Sequence, residues 1–204
     1  MATYQAIAAV SEALRGLIDD RYPRESTDPL APQSGFPTGL DVSLYQPRNF
    51  ESPMTEGFAI LLLRVTLNTT VRNPGDRRTA DGRRLRPSLP VDLHYLIVPF
   101  AEAASTQQRM LGWVMRLLED LGTLSASQLN HYVREIDTFS GGEALEVVSE
   151  SPELTDYLSI WERLHALPPS AFCRLRMVLL DSQVPLGDGP AVQTRAFDMG
   201  KVAA

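Results

Sequence analysis

Three apolar stretches with strand character follow one another in this sequence with no helical pattern between them. That order narrows the possible folds more than any other feature. Leu40, Val42 and Leu44 alternate with Asp41, Ser43 and Tyr45, the period of two that marks a strand buried on one face. Phe58 to Asn68 is longer and more apolar, and its aromatic and β-branched residues favour strand over helix. Leu89 to Phe100 sets Val91, Leu93, Tyr95 and Ile97 on one face and Asp92, His94, Leu96 and Val98 on the other. Parallel neighbours need a long crossover, usually a helix. Consecutive strands without one predict an α+β fold with a mostly antiparallel sheet, flanked by three main helices.

The helical periods lie around that block. Ile7, Val10, Leu14, Leu17 and Ile18 form one stripe in a helix over residues 4–20, stopped by Pro23. Met110, Leu111, Val114, Leu117, Leu118 and Leu121 form a second stripe, with a capping-box spacing at Ser105 and Gln108 and a stop at Gly122. Leu154, Tyr157, Leu158, Trp161 and Leu164 form a third, expected to face the core. Short strands are expected over 145–150 and 172–181, the latter with Cys173, Leu175, Met177 and Leu179 on one face. Residues 123–143 fit no pattern. Proline- and glycine-bearing loops are expected at 22–38, 47–57 and 72–88. The expected organisation is a single domain over 1–181 followed by an arm over 182–204.

At 204 residues, 44% hydrophobic and 22% charged, the chain is long enough to bury a core, and wholesale disorder is excluded. A net charge of −6 argues against a dedicated nucleic-acid binder. Cys173 is the only cysteine, so neither a disulfide framework nor a cysteine-based zinc site is available. The opening segment lacks a basic region and Glu12 interrupts its apolar run, so it does not read as a secretory signal. The run from Phe58 to Leu63 is far short of a membrane span. The expectation is a cytoplasmic chain without direct membrane insertion.

Catalytic signatures are sparse. The glycines form no phosphate-binding loop, and His94, His131 and His165 are scattered. Asp92 and His94 share a strand face, which suits a base and its orienter or half a metal site. A structural hydrogen bond fits them better, since no nucleophile or third ligand stands near in sequence. Cys173 alternates with apolar neighbours, as a buried thiol does. No catalytic, cofactor-binding or metal-ligating residue is assigned.

Charge is distributed unevenly instead. Residues 72–86 hold Arg72, Arg77, Arg78, Arg83, Arg84 and Arg86 and carry a net +4, whereas residues 119–156 carry −8. Such a dipolar chain suits head-to-tail contact between identical subunits.

Several segments taken in order resemble one family. They are residues 6–15 (Ala6 to Arg15), Leu63 to Asn68 with Val71-Arg72-Asn73, and Leu89 to Leu96 containing Asp92-Leu93-His94-Tyr95. Met110-Leu111-Gly112, Leu158 with Ile160-Trp161, and Val178 to Asp181 complete the set. Over residues 6–181 the chain resembles the N-terminal domain of cap, or tail-terminator, proteins of contractile injection systems of the antifeeding-prophage and virulence-cassette type. The resemblance implies a tail-terminator-like fold and a structural, non-enzymatic role without cofactors. It implies a homo-hexameric ring that ends inner-tube growth and joins the distal end of the sheath to the tube. Partners would be the inner-tube and sheath proteins, with no nucleic acid; the chain would assemble in the cytoplasm and then belong to the particle. The arginine segment and the arm, through Val192, Arg195 and Phe197, are expected to carry partner contacts. The alternative is a non-enzymatic adaptor that recruits a cargo or baseplate component.

Overall fold

The structure, a computed structural model, describes residues 4–22, 39–70, 75, 77–79, 82–133, 138–164 and 168–186. Helix α1 (Ala6–Arg21) buries Val10, Leu14, Leu17 and Ile18 as their spacing requires. Each such side chain contributes about 1.5–3 kcal/mol when taken from water. The strands are β1 (Asp41–Tyr45), β2 (Gly57–Leu67), β3 (Arg77–Arg78), β4 (Arg84–Leu85), β5 (Leu89–Phe100), β6 (Thr123–Ser125), β7 (Ala144–Glu150) and β8 (Ala171–Leu180). Helices α2 (Ala104–Leu121), α3 (Ala126–His131) and α4 (Leu154–Leu164) complete the described elements, with one 3-10 turn at Pro47–Glu51.

Six strands make one sheet in the order β1-β2-β5-β8-β7-β6, and β3 pairs with β4 in a separate two-stranded ribbon. All neighbours in the large sheet are antiparallel except β1 and β2, which run parallel. The expected antiparallel start is therefore corrected at its first pair. The connection over residues 46–56 is long enough to return the chain to the same end, and the 3-10 turn inside it takes the place of a crossover helix. Gly57 admits this pairing: its φ is +149°, and a Cβ there would collide with the Asp41 carbonyl and with Met54 Sδ. Register confines β1 to Gly57–Leu61. From Leu62 to Leu67 the outer edge of β2 has no strand partner among the described residues.

Apolar side chains pack on both faces of the sheet. On one, α1, α2 and α3 enclose Phe58, Ile60, Leu93, Tyr95 and Cys173. There the Tyr95 hydroxyl meets Ser11 Oγ at 2.8 Å. On the other, Ala59, Leu61, Leu96, Val98 and Phe100 pack with Phe50 of the 3-10 turn and Leu164 of α4. Central β5 is consequently buried on both faces.

Three local expectations change. Helix α2 starts at Ala104, with Ala103 as an N-cap that makes no side-chain bond. Ser105 falls inside the first turn, and the neighbouring Gln107 side chain donates to the Pro99 carbonyl at 3.0 Å. A true capping box occurs in the stretch that fitted no pattern: Ser125 and Gln128 open α3. In β8, Met177 adopts φ +67° at a register shift against β5. The extra residue turns the strand over, so Val178 and Leu180 take the core side that Met177 and Leu179 were expected to hold.

Candidate assembly interface

The arginine-rich segment is not a plain loop. Arg77 pairs with Leu85 and Arg78 with Arg84 across β3 and β4, closed by Thr79 N–H to the Arg83 carbonyl at 3.0 Å. Asp181, just past β8, ties the ribbon down: it accepts Arg77 Nη1 at 3.0 Å and Ser88 Oγ at 2.6 Å. The start of the expected arm adds to the ribbon's other edge. Arg86 N–H donates to the Val184 carbonyl at 3.0 Å and Leu186 N–H to the Arg84 carbonyl at 2.8 Å. Arg77 and Arg84 are half-buried, while Arg78, Arg83 and Arg86 are exposed. Arg72, Val192, Arg195 and Phe197 lie outside the described residues.

Much of the acidic flank is neutralised locally. Glu146 accepts Arg176 at 2.8 Å, Glu150 lies 3.1 Å from Arg174 Nε, and Asp120 pairs with Arg116 one turn earlier in α2. Glu135 and Asp137 are outside the described residues. Glu153, just before α4, and Asp156 and Glu162 on it remain as exposed carboxylates with no ion pair among the described residues.

Helix α4 departs most from expectation. Tyr157, Ile160 and Leu164 pack on the second core, whereas Leu154, Leu158 and Trp161 are 71%, 44% and 47% exposed. The stripe expected to be core is therefore two stripes. At 100° per residue the inward and outward sets point roughly a quarter-turn apart. The signal was present in the sequence: apolar residues at 154, 157, 158, 160, 161 and 164 cover more of the helix than a one-sided face needs. A groove of about 600 Å³ runs between α4 and the outer half of β2, bordered by Leu63, Arg64, Asp156 and Arg163.

Asp92 and His94 are taken up by structural bonds. Asp92 Oδ1 accepts Asn68 Nδ2 at 2.8 Å and the Met177 N–H at 3.1 Å, holding the β8 turnover in place. His94 Nδ1 lies 2.9 Å from Glu150 Oε2 and its Nε2 3.0 Å from Thr66 Oγ1. Both residues are buried, though His94 borders the floor of the groove. Burial pushes the Cys173 thiol up to about 12, with nearby Glu150 adding to the effect. Burial likewise raises the Tyr95 hydroxyl against the opposing Ser11 bond. Among the described residues no His, Cys, Asp and Glu cluster is arranged to hold a metal, and no helix is long and apolar enough to cross a membrane.

The sequence matches the model of the Pvc16 N-terminal domain across residues 9–194. The chain belongs to this family. A search of curated proteins by sequence finds no match. As a Pvc16 N-terminal domain, the chain is similar in fold to a solved PVC sheath/tube terminator of an extracellular contractile injection system in its extended state. That likeness has a TM-score of 0.58 at 15% identity and covers 100% of this chain and 67% of the other. The anti-feeding prophage cap, described as a tube-terminating cap, gives a TM-score of 0.50 at 11% identity over 79% of this chain and 56% of its own. The chain thus has the terminator fold and spans about half to two-thirds of these relatives.

Proposed function

We propose that this protein is the structural cap of a phage-tail-like contractile injection system. It ends inner-tube growth and joins the distal end of the sheath to the tube. The observation that carries this reading is the family match over residues 9–194, joined to a fold shared with a sheath/tube terminator over the whole chain. The role is mechanical: surfaces bind and no bond is made or broken. Six copies form a ring whose partners are the tube and sheath proteins. Assembly takes place in the cytoplasm, and the protein then belongs to the particle. The arginine ribbon, with Arg72, and the arm through Val192, Arg195 and Phe197 carry the contacts.

Light scattering of the pure chain, alone and mixed with tube protein of the same particle, tests this. A mass near six subunits, alone or only on tube ends, supports the cap. A monomer that ignores the tube refutes it and favours the adaptor. Deleting residues 191–201 is expected to loosen the sheath. Neutralising the six arginines is expected to weaken assembly and its salt dependence.

A further inference from the structure

The outer edge of β2 is open where β1 stops. β1 covers Gly57 to Leu61, and from Leu62 to Leu67 no strand follows in its lane among the described residues. Asn68 N–H donates inward to the Pro90 carbonyl at 3.0 Å, so alternation turns the N–H and carbonyl groups of Val65 and Leu67 outward. Cross-strand partners share a face. Arg64, opposite His94, therefore stands on the groove side, whereas Val65 and Leu67, opposite Leu93 and Val91, stand on the side of α1. Val65 and Leu67 are exposed, and Arg64 is exposed without an ion pair among the described residues. A strand that fits here carries an apolar side chain on one face and, next to it in sequence, a carboxylate on the other. Residues 187–204 lie outside the described residues, but their sequence holds that pair. Phe197 and Asp198 are neighbours in a stretch, 191–199, that contains no proline, and an extended backbone turns them to opposite faces.

We infer that residues 195–198 of one copy pair antiparallel with Arg64 to Leu67 of the next, adding a strand in the lane that β1 leaves. Asp198 opposite Arg64 sets Phe197 opposite Val65, Ala196 opposite Thr66 and Arg195 opposite Leu67. Phe197 covers Val65 and reaches Leu67 on the diagonal, and the small Ala196 leaves the 3.0 Å contact between Thr66 and His94 undisturbed. The next copy provides the arm because the same copy falls short. Leu85 bridges Pro185 much as Leu89 pairs with Leu180, and Leu186 N–H donates to the Arg84 carbonyl at 2.8 Å. The ribbon thus prolongs the β5–β8 ladder, and the chain at Leu186 is heading away from the sheet. Leu186 lies six residues beyond Leu180, roughly 20 Å of strand. Leu67, opposite Val91, stands about 7 Å further in, and the open lane is three strand spacings to the side. The direct path back to a place beside Leu67 is about 30 Å. Nine extended residues, 187–195, cover about 30 Å at most, which leaves none for the reversal. Each copy gives an arm and takes one, a heterologous contact that closes into a ring when its rotation is right. The inference deepens the ring reading above and rests on it.

Disulfide trapping and a charge swap test it. Arg64 falls at a position where opposed Cα atoms lie about 4.5 Å apart, close enough for a disulfide, and Cys173 is buried. Chains with Arg64→Cys and chains with Asp198→Cys are mixed, oxidised and run without reductant; a cross-linked pair of one each is expected. The chain carrying both changes is expected to give a ladder that ends at the ring. Arg64→Asp and Asp198→Arg each set like charges opposite one another at every contact. The concentration for half-assembly, read by light scattering with and without tube, is expected to rise about fivefold for each. The chain carrying both reversals restores the pair and is expected to assemble as wild type does. Thermal melts check the folding of every variant, and electron microscopy follows the capping of tube ends.

Cross-links confined to single chains of the doubly substituted protein, with none in the mixture, place the arm on its own subunit and overturn the inference. The absence of cross-links in both overturns it too. So do charge reversals that leave assembly unchanged, or that the combined chain does not rescue. If wild type forms rings that cap tubes in these cases, the cap reading stands and this contact alone is wrong. A wild-type chain that never assembles and never caps sinks both.

Discussion

Removing the Asp92 carboxylate is expected to destabilise the protein. The side chain is buried, at 6% exposure, and accepts two hydrogen bonds, from Asn68 Nδ2 at 2.8 Å and from the Met177 N–H at 3.1 Å. In Asp92→Ala both donors lose their acceptor, Asn68 in a buried setting and Met177 in a half-buried one. Each costs about 1–3 kcal/mol, so the loss is about 2–6 kcal/mol from a domain whose whole stability is about 5–15 kcal/mol. A urea titration followed by tryptophan fluorescence reads this as a midpoint lower by about 2 M. The Met177 N–H belongs to a residue at φ +67°, where a non-glycine backbone is strained by about 1–2 kcal/mol. Met177→Gly relieves that strain, so the turnover depends less on being pinned. Its combination with Asp92→Ala is expected to be less damaging than the sum of the two. A loss below about 1 kcal/mol for Asp92→Ala would refute the structural role and return the residue to the catalytic candidates.

Two glycines of one helix are expected to respond oppositely. Gly112 is exposed in α2 and a Cβ there meets nothing, so Gly112→Ala should raise stability by about 1 kcal/mol through helix propensity. Gly122 ends the same helix at φ +54°, and Gly122→Ala should lower it by about 1 kcal/mol, both read by thermal melting. Cys173 should resist a thiol reagent at pH 8 and react as the chain unfolds. Its raised value also sets a pH sign: the folded state keeps the proton more tightly than the unfolded one, from 9.0 to about 12. Stability is full below 9 and falls as pH climbs toward 12, a slope that Cys173→Ala should flatten.

The elements whose apolar period was unbroken were legible in the sequence. Helices α1 and α2 and strands β2 and β5 lie within a residue or two of where their patterns put them, because each turns one continuous stripe or face to the core. What escaped was set by tertiary partners. β8 turns over at Met177 because a carboxylate on β5, distant in sequence, captures its N–H. The parallel β1 follows from Gly57 letting the Asp41 carbonyl approach, which strand periodicity does not encode. The arginines were visible as charge but not as a ribbon, since two-residue strands have no period to read. On α4 the sequence carried more apolar residues than one face needs, and the second core decides which of them turn inward.

The outer half of β2 has one further consequence. Its edge from Leu62 to Leu67 lacks a strand neighbour among the described residues, and Leu63, Val65 and Leu67 there are exposed. Such a stretch is a template for adding strands without limit, an awkward property for a protein proposed to stop a polymer. Arg64 stands in the middle of it, exposed beside the groove, and splits an otherwise apolar run. A charge at that position acts as a gatekeeper: a free subunit can wait for its neighbours without seeding fibres of its own.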